Sequence, residues 1–376
     1  MKILQRYFGT EIIRAVFFVM LALLALFSFF DLMGELPSVN KGGYKIQHAI
    51  WYVFLGLPGY VYEFMPIAVL IGTIYVLSQF ASNSEFTIMR AASMSTLMAA
   101  NILIKIGLIF VVLTFVFGEL IAPNTSKLAE SMKLTALGAT EAQEFRTGLW
   151  TKDLIRENGL QGEIIGSRFL NVREILPNHQ LNQVKLYEFD KNFHLTREVA
   201  AKNASYQGKN IWRLFDVTQT SFPMTLSSED ITNVKSQQSS ALDVVSEVTP
   251  DILSVLFADP DRMSAIDLAS FTRHLAENKQ DSERYLIAFW KKITYPFATL
   301  VMMALALPFA YLHVRSGGTS LKIFSGIMIG MVFYLINSLF SHLGMLNTWP
   351  PVFTALVPSF IFLGLAMLGL RYVERN

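Results

Sequence analysis

The sequence of 376 residues contains no cysteine, and Asp, Glu, Lys and Arg together make up only 16% of it. Without cysteine the chain cannot form disulfides, thiolate metal sites or cysteine nucleophiles, although this does not identify its compartment. Three motifs are also missing: the phosphate-binding loop of nucleotide hydrolases, the HExxH zinc motif and the GxSxG nucleophile turn. We therefore expect a protein that is not an enzyme and that binds no cofactor itself.

Apolar residues, in contrast, are abundant. They make up 52% of the chain, and the mean hydropathy of +0.41 is too high for an ordinary soluble protein. Six runs are long enough to cross a hydrocarbon core of about 30 Å as helices. They cover residues 12–33, 58–80, 98–122, 293–312, 323–340 and 352–370. The sequence therefore predicts an α-helical polytopic membrane protein with three spans on each side of a polar segment, residues 123–262.

The polar segment predicts an antiparallel β domain. Turn signals recur along it, and strand-like runs such as 183–189 and 211–218 lie between them. Run 211–218 carries apolar residues at both odd and even positions, which fits a strand buried between two sheets or one that lines a lipid-filled interior. After it, Ser264 and Asp267 fit a capping box that starts a connector helix. Three regions result: 1–122, 123–262 and 263–376.

Lysine and arginine in the short loops predict the orientation. Lys2 and Arg6 precede the first span, Arg90 follows the second and Lys322 follows the fourth, so these positions share one side of the membrane. Positively charged loops favour the cytoplasmic side. Both termini are therefore expected in the cytoplasm and the polar segment outside. The net charge of +2 and the slightly acidic polar segment give no indication of nucleic-acid binding.

The loop between spans two and three, residues 82–93, predicts a short cytoplasmic helix. Serines at its start are suitable N-caps, and Glu85 suits a first turn. The spacing of Phe86, Met89 and Arg90 places apolar and charged groups on one helical face. The helix is either an interfacial helix after a solvated turn or a docking element for a cytoplasmic partner.

Six short motifs follow one another across the whole chain: Arg6–Gly9, Ser84–Ser93, Gly118–Pro123, Gly148–Trp150, Trp212–Leu214 and Trp349–Pro351. Together they resemble the motifs of the LptF/LptG permeases of the lipopolysaccharide exporter. The details resemble the LptG members more than the LptF members. Each motif is modest alone, and their order around a split three-plus-three topology makes the resemblance specific.

The resemblance implies half of an ABC transporter in the bacterial inner membrane. Such permeases pair with an LptF-type paralogue on an LptB-type ATPase dimer, which binds ATP and Mg²⁺. They take lipopolysaccharide from the membrane and pass it through a periplasmic β-jellyroll to an LptC-type bitopic protein and a bridge toward the outer membrane. By similarity, residues 82–97 contain the coupling helix, with Glu85, Phe86, Met89 and Arg90 at the ATPase contact.

The resemblance identifies the lipid-contacting residues less directly than the ATPase contacts. The family's basic cluster at the outer end of span one is replaced here by Asp31, Glu35 and Pro37, which leaves Lys41 and Lys45 as the candidate headgroup contacts. A lateral gate between spans one and five is expected, since exposing each buried CH₂ to water costs roughly 0.8 kcal/mol. Candidate gate and cavity residues are Phe17, Phe18, Phe27, Phe30, Phe324, Met328, Met331 and Phe333. The alternative is that half or more of these face bulk lipid.

Two other functions fit the same architecture. One is a membrane scaffold that transports nothing and binds a partner through its β domain. The other is a permease that releases lipoproteins rather than glycolipid. Co-purification separates them, because a lipopolysaccharide transporter half should bring down both an ATPase and glycolipid, a scaffold should bring down neither, and a lipoprotein permease should carry a different cargo.

Overall fold

The computed structural model describes residues 2–137, 148–176, 180–222, 234–255, 260–278, 280–311, 319–347 and 349–375. Within these residues, six helical segments are long and apolar enough to cross a membrane, three before and three after a six-stranded antiparallel sheet. The predicted fold class is confirmed at this level. The jellyroll arrangement of the sheet stays a prediction.

The helices of the first half extend further than their apolar runs. They are α1 (Lys2–Glu35), α2 (Ile46–Ser82), α3 (Glu85–Ala91), α4 (Thr96–Val116) and α5 (Ala122–Leu137), with a π-helical turn at Phe117–Ile121 joining α4 to α5. The continuous helical segment Thr96–Leu137 has 42 residues. At 1.5 Å per residue it is about 60 Å long, twice the hydrocarbon thickness. Its α5 part therefore projects beyond the apolar layer toward the β domain.

The second half begins with two short helices and ends with three spans. Its helices are α6 (Pro250–Val255), α7 (Ala265–Glu277), α8 (Glu283–Thr294), α9 (Ala298–Ala306), α10 (Thr319–Asn347) and α11 (Pro351–Arg375). Pro296 and Pro308 each lie in a 3₁₀ turn, one on each side of α9. The fourth span thus comprises α8 and α9 and starts about ten residues before the apolar run that predicted it.

Helix α2 is the centre of the membrane part, because α1, α5, α9 and α10 all pack on it. In the most apolar 18-residue stretch of α2, 78% of the residues are buried, whereas the corresponding share is 22% in α1 and in α10. Glycines permit the closest approaches: a Cβ atom at Gly72 would lie 2.8 Å from the backbone nitrogen of Val16, and one at Gly326 would lie 2.8 Å from Ile74. Helices in lipid associate through such close fits.

The β domain is a single described sheet in which chain neighbours are also spatial neighbours. Its strands are β1 (Leu149–Asn158), β2 (Gln161–Ile175), β3 (Gln180–Asp190), β4 (Leu195–Gly208), β5 (Ile211–Ser221) and β6 (Lys235–Val245). One face forms an apolar core with Val172, Leu186, Val199 and Leu214. The predicted strands 183–189 and 211–218 lie within β3 and β5.

A crease crosses this sheet and explains the unusual pattern of β5. One row of residues across the sheet is left out of the strand pairing. It consists of residue 173 on β2, 183 on β3, 202 on β4 and 216 on β5. Gln183 and Asp216 have positive φ angles of 53° and 51°, and the alternation of side chains changes phase there. Leu214 and Val217 are both buried as a result, while Phe215 is 39% exposed. The expectation that β5 is buried on both faces is therefore wrong, because the backbone shifts the pattern instead.

The connector helix α7 contacts the membrane part at its N-terminus and the β domain at its other end. Its N-terminus receives the carboxylate of Glu119, which accepts hydrogen bonds from the amides of Ala265 (2.8 Å) and Ile266 (3.4 Å). Ser264 accepts from the amide of Asp267, so the N-cap half of the predicted capping box is confirmed, while the Asp267 carboxylate pairs with Lys127. At the other end, Nζ of Lys152 on β1 donates to the carbonyl of Asn278 at 3.3 Å.

Candidate functional site

A cavity of about 590 Å³ lies at the end of the spans nearest the β domain. Residues at the end of α1 line one side and residues of α10 line the other, with α2 between them and α5 and α8 completing the wall. Its volume is in the range of small-molecule sites. The cavity therefore lies between spans one and five, where the sequence predicted a lateral opening.

The acidic residues that α1 contributes to the cavity are all held by neighbours. Tyr60 donates to Asp31 at 2.6 Å. Glu35 accepts from Lys133 at 2.8 Å and from Tyr44 at 3.1 Å. Burial, together with the hydrogen bond to Glu35, raises the pKa of Tyr44, so this hydroxyl remains a donor. These bonds fix the α1 side of the cavity to α2, to α5 and to the loop that follows α1.

Three cationic side chains, Arg262, Lys291 and Lys292, also line the cavity, together with the carboxylates of Glu63 and Asp261. Lys291 forms an ion pair with Asp261 at 3.3 Å. Lys292 is only 6% exposed, and its Nζ lies 4.6 Å from the centre of the Tyr62 ring and 3.5 Å from the carbonyl of Asp261. These carbonyl and ring contacts hold the ammonium in place at the cavity wall.

Sequence reasoning missed these cations. Arg262 precedes α7, and Lys291 and Lys292 lie in α8 at the start of span four, far along the chain from span one. An available signal was the Lys291–Lys292 pair, set between Trp290 and Tyr295 at the start of an apolar run, because aromatic and basic residues mark membrane borders. Within the described residues, no group of three or more His, Asp or Glu side chains is arranged to hold a metal ion.

The predicted headgroup contacts lie elsewhere. Lys41 and Lys45 are both exposed, in the loop between α1 and α2, and neither is among the residues that line the cavity. Their role in lipid binding stays a prediction.

The predicted gate residues fall into two groups. Those whose side chains are between 42% and 73% exposed are Phe17, Phe18, Phe30, Phe324, Met328 and Met331. Phe30 also lines the cavity. Phe27 instead packs on Phe64, with ring centroids 4.3 Å apart, and Phe333 is 1% exposed and packs on Phe362. The last two are core residues in this structure.

The helix predicted between spans two and three is present as α3. Phe86 is 2% exposed and meets Tyr311 with centroids 5.0 Å apart, while the guanidinium of Arg90 lies 5.0 Å from the same ring. Met89 is partly buried against the membrane core. Three of the four predicted contact residues thus attach α3 to its own protein.

Several residues of α3 remain available to a partner. Glu85 is partly exposed, Arg90 is exposed beside the Tyr311 ring, and Ile88, which the sequence prediction did not include, is 66% exposed. Glu85 accepts hydrogen bonds from the hydroxyl of Tyr7 at 3.0 Å and from Nδ2 of Asn83 at 3.3 Å. The exposed surface of α3 therefore includes a carboxylate, a guanidinium and an apolar side chain.

Comparison with known proteins agrees with this architecture. The family model "Lipopolysaccharide export system permease LptF/LptG" matches residues 6–372, nearly the whole chain. The chain belongs to this family. Among LptF/LptG relatives, the lipopolysaccharide export system permease protein LptG of Haemophilus influenzae is 30% identical over 96% of both chains. The LptG protein of Escherichia coli K12 is 28% identical over 96% of this chain and 95% of its own length.

Membership of the LptF/LptG family accounts for the split topology. The chain is a multi-pass membrane protein and a permease subunit for lipopolysaccharide export, and the relatives named above are LptG proteins. The relatives are permease subunits of an export system, which agrees with a transport subunit.

Proposed function

We propose that this chain is the lipid-handling half of an ABC exporter in the bacterial inner membrane, with its termini in the cytoplasm and its β domain in the periplasm. The cavity between α1 and α10 carries this proposal, because it brings three cationic side chains, among four carboxylates, next to two flanking helices that expose large apolar side chains. A lipid with anionic groups on its head needs both features at one place.

In this proposal lipopolysaccharide enters sideways between the two helices. Its acyl chains lie along Phe17, Phe18 and Phe30 on α1 and along the matching side chains of α10. Each CH₂ kept out of water saves roughly 0.8 kcal/mol, so a continuous apolar route avoids a cost of tens of kcal/mol for a multi-chain lipid. The phosphates of the headgroup bind Lys291 and Lys292, in place of the present contacts of these lysines with Asp261.

Energy for transport comes from another chain. An LptB-type ATPase dimer, which binds ATP and Mg²⁺, contacts Glu85 and Ile88 of α3, and an LptF-type paralogue forms the other half of the permease. Closure of the ATPase moves α3 and compresses the cavity. The lipid then passes along the β domain to an LptC-type protein.

A binding experiment tests the cargo. The protein is purified with its natural partners, and bound lipid is identified by mass spectrometry for the wild type, a Lys291→Met/Lys292→Met variant and a control, Lys185→Met, which removes an exposed lysine of β3. We expect co-purified ATPase in all three and strong loss of glycolipid only in the double variant. Recovery of neither ATPase nor glycolipid with the wild type would favour a scaffold, and recovery of lipoprotein would favour the other permease function.

Charge reversal tests the coupling contact. Glu85→Lys should leave the membrane fold intact and separate ATP hydrolysis from lipid movement, since a carboxylate at the partner interface is replaced by a cation. Glu11→Lys is the control, because Glu11 lies on α1 near the same end and pairs only locally with Arg14. Normal assembly and transport in Glu85→Lys would contradict the assignment.

A further inference from the structure

Tyr7 links the gate helix α1 directly to the coupling helix α3. Its hydroxyl donates to Oε2 of Glu85 at 3.0 Å, across 78 residues of sequence. Its ring stacks on Phe80, near the end of α2, with centroids 5.3 Å apart and an interplanar angle of 22°. Packing of the Tyr7 ring on Phe80 therefore fixes the position of this hydroxyl.

The neighbouring residue anchors this contact in the membrane core. Phe8 is fully buried, and its ring packs on the same Phe80 at 5.0 Å. Phe80 itself is 3% exposed. Consecutive aromatic residues of α1 thus hold the end of α2 from two sides, one within the core and one at its edge, where Tyr7 remains 42% exposed.

Helix α3 has few means of its own to orient Glu85. It contains only seven residues, and its N-cap residue Ser84 has a left-handed φ of 61° and makes no side-chain cap hydrogen bond. The two oxygens of Glu85 are held instead by Tyr7 on Oε2 and by Asn83 on Oε1. Because both hydrogen bonds come from residues outside α3, the orientation of the carboxylate depends on Tyr7 and Asn83.

We propose that Tyr7 is a positioning residue for energy coupling: it holds the Glu85 carboxylate in the orientation that the ATPase engages and passes movement of α3 to α1. This inference rests on the proposed function. Tyr7 and Phe30, which lines the cavity, lie on the same uninterrupted helix, 23 residues and about 35 Å apart. A displacement of α3 thereby reaches one wall of the cavity without passing through α2.

The decisive variant is Tyr7→Phe, which removes the hydroxyl and keeps the ring that stacks on Phe80. The matched control is Tyr75→Phe, because Tyr75 is a half-exposed tyrosine on α2 outside the proposed contacts. Both are studied in the full complex with its ATPase, and lipid moved per ATP hydrolysed is measured in proteoliposomes. We expect a drop of roughly fivefold for Tyr7→Phe, the ratio that corresponds to one lost hydrogen bond, and none for Tyr75→Phe.

A double-mutant cycle with Glu85→Ala, which removes the acceptor of the Tyr7 hydroxyl, separates positioning from a structural role. If Tyr7 acts through Glu85, then Tyr7→Phe has no additional effect in the Glu85→Ala background, and thermal stability is unchanged throughout. Additive losses, or unchanged or improved coupling in Tyr7→Phe, would overturn the inference. A wild-type complex that contains neither ATPase nor glycolipid would instead overturn the proposed function, so the two failures are distinguishable.

Discussion

The membrane core and the core of the β domain are built in different ways. The membrane core consists of apolar side chains brought together by glycines such as Gly72, which lets the backbones of α1 and α2 approach each other closely. The β domain adds charge: Arg168, which is 7% exposed, pairs with Asp153 at 3.3 Å and Glu188 at 2.8 Å, and Arg197 also reaches Glu188. The difference reflects the two solvents.

In lipid, burial of an apolar side chain gains little, because the acyl chains are as apolar as the core, and shape complementarity has to hold the helices together. In water, apolar burial drives folding, and a buried ion network is maintained only when its charges are paired. Burial raises the pKa of Asp153, an effect opposed by the nearby Arg168. Four predictions test this contrast, from the largest expected effect to the smallest.

Removing the central cation of the β domain should have the largest effect. Arg168→Met leaves Asp153 and Glu188 buried beside an apolar side chain, which should destabilise the domain by about 3 to 5 kcal/mol. Chemical denaturation followed by the fluorescence of buried Trp212 measures this. Arg213→Met is the control, because the pair of Arg213 with Asp243 is exposed. Equal effects of the two variants would remove the distinction between the cores.

Glycine replacement tests the fit between spans. In Gly72→Val the new side chain clashes with the backbone of Val16, so α1 has to move away from α2. We expect a severe loss of monodisperse protein in detergent and a lower thermal midpoint. Gly364→Val is the comparison, since a Cβ atom there meets nothing within 4 Å among the described residues. A tolerated Gly72→Val would show that shape complementarity is not what holds these helices.

Two phenylalanines of α10 test packing against exposure to lipid. Phe333→Ala creates a cavity beside Phe362 and should cost about 3 kcal/mol, whereas Phe324→Ala, at a side chain that is 58% exposed, should change the thermal midpoint little. Thermal unfolding of the purified protein distinguishes them. Loss of transport without loss of stability in Phe324→Ala would support its place in the gate, and a large stability loss there would argue against exposure to lipid.

The smallest effect concerns pH. Burial lowers the pKa of His274 on α7, against the opposing effect of Asp153 and Glu247, so the folded state favours the neutral ring. Its stabilising contribution is present above the unfolded pKa of about 6.5 and is lost as pH falls through the lower folded value. The midpoint of the β domain should therefore decrease as pH is lowered below about 6.5. His274→Gln should weaken this dependence, and His194→Gln, at an exposed histidine, should not.

The sequence was sufficient for the spans and for α3, since hydropathy and capping residues act locally. It could not show that α5 continues the third span, because Lys127, Glu130 and Lys133 make that helix polar where it leaves the apolar layer. Hydropathy also could not predict which spans are most buried in the protein. The apolar stretch of α1 is more apolar than that of α2, yet far fewer of its residues are buried. The cations of the cavity were missed because α1 and α8 come together only in the folded protein.

The crease of the β sheet was missed for another reason. The left-handed positions at Gln183 and Asp216 are not glycines, so no residue type marks them. Likewise, Phe86 and Arg90 were correctly placed on a helix, but their contact with Tyr311 depends on a residue more than 200 positions away.

The carboxylate of Glu119 has a mechanical consequence. It sits within the π-helical turn of the third span, and the first two amides of α7 are bonded to it. If that span rotates about its axis, either the N-terminus of α7 travels with it or two hydrogen bonds break. Lys152 of β1 is bonded to the far end of α7, so a rotation of the third span that carries α7 with it also moves the first strand of the sheet.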